Sequence, residues 1–133
     1  MTHLRRRAAG AALFLVLAAL IGCGKSGPKL VPVSGTVTYD GQPLPEGTVY
    51  FKTAQTGAMD TLPVKDGKFE GSAEVGERRV EVTAYRTKVQ DLNGMKGEIK
   101  ESLVPARFNA NSTLTATVKA DGPNTFKFDV TSK

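Results

Sequence analysis

Residues 33–51 read VSGTVTYDGQPLPEGTVYF, and this stretch determines the predicted fold. Apolar and polar side chains alternate on both sides of the Asp40-Gly41 pair, a dipeptide that joins two strands through a tight turn. A period of two places successive side chains on opposite faces of a β-strand. One face of each strand is therefore predicted to be buried. The residues on that face are Val33, Gly35, Val37, Tyr39, Val49 and Phe51.

The same alternation recurs along the rest of the chain. A second Asp-Gly pair, Asp66-Gly67, lies within residues 64–74, and three further alternating segments follow it. Clean alternation with one polar face is typical of antiparallel sheets. About seven short strands over roughly 100 residues indicate an all-β, seven-stranded antiparallel Ig-like sandwich. The three further segments are residues 77–85, 113–120 and 124–132.

One connection breaks this pattern. Residues 86–104 join two of the predicted strands, and connections of that length are uncommon in compact domains. We interpret the segment as a solvated loop with Gly94 and Gly97 as hinges, and a short strand around residues 96–100 is the alternative. If the domain binds a partner, this loop and the exposed strand faces are the expected surface.

The domain resembles carboxypeptidase regulatory-like and transthyretin-like domains, which open with a Gly-x-Val strand, a Gly-x-Pro-Leu turn and a Gly-x-Val-x-Phe strand. Its last part is similar to the end of small bacterial predicted lipoproteins of this group. The resemblance implies a prealbumin-like sandwich and little about activity. The matching residues are Gly35, Val37, Gly41, Pro43, Leu44, Gly47, Val49 and Phe51 at the start, and Val104, Pro105, Arg107, Phe108, Leu114, Thr115, Asn124, Phe126, Phe128 and Asp129 at the end.

Two of the matching residues have an expected structural task. Arg107 and Phe108 are predicted to cap the sheet with an aliphatic stem and an aromatic ring.

The N-terminal segment is typical of a secretory signal peptide. Arginines at positions 5–7 precede an uncharged apolar run, residues 8–21. That run is too short to cross a bilayer comfortably, which takes roughly 20 residues. It is also apolar on every face, so it does not fit a half-buried helix at the surface of a domain.

The single cysteine of the chain follows this run. Leu20-Ile21-Gly22-Cys23 resembles the lipobox of bacterial lipoproteins. The resemblance implies cleavage between Gly22 and Cys23, diacylglycerol on the Cys23 thiol, and an acyl chain such as palmitate on the new amine. An ordinary signal peptide with an unmodified cysteine is the alternative. The resulting parts are a signal peptide (residues 1–22), a lipidated tether (23–32) and a β-sandwich domain (33–133).

The expected location is the bacterial cell envelope. Gly24 follows the cysteine where an aspartate would favour retention in the inner membrane. It therefore favours the outer membrane or the cell surface. Removal of the signal peptide takes away three arginines and leaves 15 basic and 13 acidic side chains, so the net charge falls from +5 to +2. This near balance of charge does not indicate a basic surface that binds nucleic acid.

The residues left after processing argue against an enzyme. The chain's one histidine, His3, leaves with the signal peptide. The transthyretin-like family, which the domain resembles, includes a hydrolase of 5-hydroxyisourate. That enzyme ends in Tyr-Arg-Gly-Ser, whereas this chain ends in DVTSK. We predict no catalytic residue, cofactor or metal site. Four acids could in principle form a carboxylate site, but we interpret them as solvated charges on the polar face. They are Asp66, Glu74, Glu77 and Glu81.

The predicted function is a membrane-anchored, non-catalytic interaction or structural module. The alternative is a secreted module that binds a glycan or peptide weakly. Tyr50 and Tyr85 fall on the face opposite the predicted core, where they would form an aromatic patch for such a ligand. The chain has no tryptophan, the residue with the largest flat surface for a sugar ring.

Overall fold

The computed structural model describes residues 27–133, so the predicted signal peptide, Gly22 and Cys23 lie outside the described residues. The described chain consists mostly of β-strands, with one short 3₁₀ helix. The elements are β1 (Leu30–Tyr39), β2 (Gln42–Pro43), β3 (Glu46–Lys52), β4 (Met59–Lys65), β5 (Lys68–Glu74), β6 (Gly76–Thr83), β7 (Tyr85–Leu92), β8 (Met95–Ser102), the 3₁₀ helix (Ala106–Phe108), β9 (Thr115–Val118) and β10 (Thr125–Val130).

Seven strands form one continuous path in the order β10-β1-β5-β4-β3-β6-β9, and the short β2 pairs with β1. Neighbours along this path are antiparallel, except that β1 and β10 are parallel. The prediction of an all-β, seven-stranded antiparallel sandwich is therefore confirmed, with one parallel pair. β1 and β10 come from the two ends of the domain, so no hairpin constrains their relative direction.

The sheet folds over on itself to make the sandwich. β4 and β5 pair only beside their turn, at Val64–Phe69 and Lys65–Lys68, and then separate. Beyond that point β5 continues along β1, whereas β4 continues along β3. The two layers are therefore β10-β1-β5 and β4-β3-β6-β9.

The core between the layers is centred on Phe51. Its ring centroid lies 5.7–6.3 Å from the rings of Phe69, Phe126 and Phe128, which belong to the other layer. Aromatic pairs at such separations add about 0.5–1.5 kcal/mol to the effect of burial. Gly35 provides room for this cluster, because a side chain there would overlap the Phe69 ring and the Phe126 carbonyl.

Both Asp-Gly pairs form the predicted tight turns. The backbone φ angles are 49° and 81° at Asp40 and Gly41, and 52° and 75° at Asp66 and Gly67. Two successive positive φ angles are the signature of the type I′ turn, whose twist matches that of the flanking strands.

The prediction of a loop at residues 86–104 is wrong. β7 and β8 pair as an antiparallel hairpin, and the alternative strand at residues 96–100 forms part of β8. Gly94 lies in the hairpin turn and Gly97 lies within β8, so neither acts as a loop hinge. All of β7 is exposed, and in β8 only Gly97, Ile99 and Glu101 are half-buried, so neither face of the hairpin is buried in the core. It therefore lacks the apolar alternation that arises when one face is buried.

Strand directions place the start of the domain and the hairpin at opposite ends of the sandwich. β1 begins at Leu30, within the predicted tether, and Leu30 pairs with Glu74 just before β6 starts. β6 runs from there to Thr83, which pairs with Thr48 near the start of β3. The hairpin follows directly after Ala84. We call the end at Leu30 the tether end and the end at Ala84 the hairpin end.

Replacing Phe51 with alanine should lower the free energy of unfolding by about 3–5 kcal/mol, because it removes the central ring and leaves a cavity. Val89→Ala is the control, since Val89 lies in the hairpin and is 60% exposed. It should change that free energy by no more than about 0.5 kcal/mol. Urea unfolding followed by circular dichroism measures both variants, and equal losses would contradict this description of the core.

Candidate functional site: the exposed hairpin

The hairpin has a register of its own. β7 and β8 pair residue by residue along their whole lengths. Asn93 and Gly94, which connect them, have φ angles of 57° and 87°, so the turn is again type I′. The Asp91 carboxylate accepts the backbone N–H of Gly94 at 2.7 Å. Local turn chemistry therefore fixes which residues face each other.

Exposed apolar side chains are concentrated on this hairpin. Every residue of β7 is exposed. The register places Leu92, Met95 and Ile99 on one face near the turn, and we call these three residues the apolar tip. Leu92 leans over Gly97, whose missing side chain leaves space for it. Four of the six large apolar residues exposed within residues 27–133 belong to the hairpin, namely Tyr85, Val89, Leu92 and Met95.

Charges of both signs are interleaved with these apolar residues. Arg86 Nε and Nη2 both lie 2.6 Å from Oε2 of Glu101, directly across the hairpin. This hydrogen bond, together with the nearby positive charge, lowers the pKa of the Glu101 carboxyl below its ordinary value. Lys96 lies opposite Asp91. The hairpin therefore presents a patterned surface of charged and apolar groups.

Arg78 is a buried charge that sequence reasoning missed. Its side chain is fully buried on the apolar face of β6. Nη1 lies 2.8 Å from Oδ2 of Asp60 and donates to the Glu74 carbonyl at 2.9 Å. Nη2 donates to the Phe51 carbonyl at 2.6 Å. The alternation itself contained the signal, because Arg78 is in phase with the inward-facing Val80.

The Arg78 cluster joins the two layers at the tether end. Asp60 Oδ2 also accepts the backbone N–H of Glu74 at 2.9 Å. Asp60 lies in β4 and Glu74 lies in β5, which have already separated here. Both guanidinium terminal nitrogens bond to groups of the protein itself, so the arrangement serves to hold the layers together.

The acids considered as a carboxylate site are not brought together. Glu81 is largely buried between Lys52 Nζ at 2.7 Å and Arg79 Nη2 at 2.6 Å, so interpreting it as a solvated charge was wrong. The long side chains of its two partners cover it. Glu77 is exposed and accepts a hydrogen bond from a threonine, and Asp66 is exposed in its turn.

Tyr50 and Tyr85 do not form one patch. Tyr50 pairs with Glu81 in the main sheet, and Tyr85 lies four residues further along the chain, in the hairpin. Four residues of extended chain correspond to about 13 Å. Lys52 Nζ lies 5.8 Å from the centroid of the Tyr50 ring.

The aromatic part of the predicted cap is present at the hairpin end, whereas Arg107 is exposed and contributes its guanidinium rather than its aliphatic stem. Phe108 packs against the core, and the Arg107 guanidinium lies 4.7 Å from its ring centroid. Arg107 also donates to the carbonyls of Thr131 and Lys133, which follow β10. These contacts fix the 3₁₀ helix against the last strand.

Within residues 27–133, no three His, Cys, Asp or Glu side chains are grouped so that they could hold a metal ion. No helix there is long and apolar enough to cross a membrane.

No protein-family model matches the chain, and no curated protein sequence matches it. Among solved structures it is similar to a DUF3823 family protein from Parabacteroides merdae ATCC 43184, with 22% sequence identity and a TM-score of 0.41. The match covers 78% of this chain and 47% of the other, so this chain spans about half the length of that structure.

Asp60→Ala should lower the free energy of unfolding by about 3–5 kcal/mol, because it leaves the buried Arg78 charge uncompensated. Arg78→Met should cost clearly less, since it removes that charge and keeps an apolar stem in the core. Asp60 is partly exposed, so water can solvate it in that variant. Urea unfolding compares the two variants, and a larger loss for Arg78→Met would refute this role of the pair.

The pKa of Glu101 should lie below 4.5 and rise toward that value in Arg86→Gln. A lowered carboxyl pKa means that the pair stabilises the hairpin above the ordinary pKa, and that this stabilisation is lost as the pH falls through the lowered value. Carboxyl ¹³C titration by NMR measures the shift. Lys96→Gln is the control and should leave Glu101 nearly unchanged. An unchanged pKa in Arg86→Gln would show that the pair does not persist in solution.

Proposed function

We propose that the protein is a bacterial cell-envelope lipoprotein that carries a non-catalytic β-sandwich as an interaction module. The observation that carries this proposal is the sequence Leu20-Ile21-Gly22-Cys23 at the end of an uncharged apolar segment. Signal cleavage before Cys23 would leave the thiol and the new amine as sites for lipid. Gly24 favours the outer membrane or the cell surface.

Lipid on Cys23 would give a stable anchor. Each buried CH₂ group contributes about 0.8 kcal/mol, and more than one acyl chain is needed for lasting attachment. Residues 24–29, between the anchor and β1, span at most about 20 Å when extended. The tether end of the sandwich would therefore remain close to the membrane surface.

The hairpin is the surface that we assign to a protein partner. It leaves the sandwich at the end opposite the tether, where the membrane would not cover it. Its exposed apolar residues lie among charges of both signs, a composition that suits a specific protein contact. A two-stranded hairpin is also only marginally stable in water, so it gains stability from pairing or packing with a partner.

Membrane fractions of cells producing the full chain should contain an N-terminal peptide that begins at Cys23 and carries diacylglycerol and acyl mass. Cys23→Ser should remain an unprocessed precursor that retains residues 1–22, because serine lacks the thiol that receives the lipid. Ser26→Ala is the matched control and should be processed normally. Mass spectrometry reads all three. An unmodified thiol at Cys23, or cleavage elsewhere, would refute the anchor.

A further inference from the structure

We propose that the partner of the hairpin is a second copy of this chain, which pairs with it through the outer edge of β8. The two hairpins would form a four-stranded antiparallel sheet in the order β7-β8-β8-β7. This inference rests on the proposed role of the hairpin as the interaction surface, and it names the partner.

The outer edge of β8 is open and regular. β7 and β8 form a two-stranded sheet, so each has one edge without a neighbour among the described strands. The register contains no bulge, and residues 85–102 contain no proline. Bulges and prolines are common devices that prevent edge strands from pairing with another chain. Lysines on an edge strand also discourage pairing with another chain. Lys96 has this effect on β8 unless a negatively charged side chain of the partner strand lies opposite it.

The type I′ turn decides which backbone groups are available. In a hairpin with a two-residue loop, the pair that flanks the loop, here Leu92–Met95, is hydrogen-bonded. Bonded and non-bonded pairs then alternate along the ladder. Lys96 and Glu98 therefore direct their backbone N–H and C=O groups away from β7, toward the open edge.

A two-fold axis through Gly97 matches these groups. The axis places Lys96 opposite Glu98 of the second copy, and the reverse pair forms on the other side of the axis. In each of these pairs, the outward-pointing backbone groups of the two strands can form hydrogen bonds with each other. The two side chains that face each other carry opposite charges. With Asp91 across the hairpin from Lys96, the charges alternate in sign across the sheet, because Asp91, Lys96 and Glu98 of the second copy lie in one row.

The same axis brings the two apolar tips together on the other face of the sheet. Met95 would lie opposite Ile99 of the second copy in a non-bonded pair, where side chains are closest. Met95 is 74% exposed and Leu92 is 47% exposed, so both have surface to bury. Gly97 at the axis leaves room for the two Leu92 side chains that lean over it.

Other two-fold arrangements fit less well. An axis through Ile99 pairs Glu98 with Lys100, but it sets Met95 opposite Leu103 and drives the turn of the second copy against the sandwich. On the edge of β7, an axis through Lys88 sets two lysines opposite each other. An axis through Val89 sets Arg86 opposite Leu92 and forms no ion pair. Like charges directly opposite each other destabilise a sheet.

The test is the oligomeric state of the full chain, solubilised from membranes in detergent and measured by sedimentation and native mass spectrometry. The wild-type chain should dimerise. Glu98→Lys should weaken dimerisation roughly 10-fold, because both ion pairs become lysine–lysine contacts. Lys96→Glu should do the same with acidic pairs. Lys100→Glu is the matched control on the same strand, and it should have little effect because it faces Gly94 of the second copy.

Mixing Glu98→Lys chains with Lys96→Glu chains should restore dimers, since every facing pair then carries opposite charges. A monomeric wild type, dimers insensitive to Glu98→Lys, or a mixture that stays monomeric would overturn the proposed pairing. The N-terminal mass is read on the same samples. Lipidated but monomeric chains would leave the anchor in place and remove the second copy as partner, whereas dimers without lipid would refute the anchor alone.

Discussion

The contact between Arg78 and Asp60 closes the sandwich at the end where its layers are not joined by strand pairing. β4 and β5 are held together by their turn at the hairpin end and separate toward the tether end. Asp60 binds both Arg78 and the backbone of Glu74 there, so a single carboxylate oxygen spans the gap. Burying a guanidinium is costly, and its partner offsets that cost only while the geometry is kept. Arg78 also donates to the carbonyl of Phe51, so the same side chain contacts the strand at the centre of the aromatic core.

Some of this architecture was predictable because the signals are local. Alternation indicates that one face of a strand is buried, and Asp-Gly pairs indicate turns. The alternating strands, in their order along the chain, could therefore be predicted from residues 33–51 and similar segments. The partner of Arg78 was not predictable, because β4 and β6 are both neighbours of β3 and do not pair with each other. The direction of β10 beside β1 likewise depends on the path of the whole sheet.

The hairpin shows why length and hydropathy misled the interpretation of residues 86–104. A strand that is exposed on both faces has no apolar period, so only the Asn93-Gly94 pair marked the turn. The residues of the apolar tip were equally hard to recognise, because their shared face is set by the register across the turn. The same separation from the core means that the hairpin's residues can change without disturbing Phe51 and its neighbours. Stability and the proposed partner contact would thus be carried by different parts of one chain.

The position of β1 also determines how the domain would respond to mechanical force. A pull between the tether and the hairpin acts along β1, which pairs with β10 over six residues and with β5 over seven. These backbone hydrogen bonds lie across the direction of the pull, so sliding β1 out requires them to break together rather than one after another. The first strand after the tether is therefore held in shear by a neighbour on each side. A pull on Leu30 would therefore be resisted by both neighbours of β1 at once.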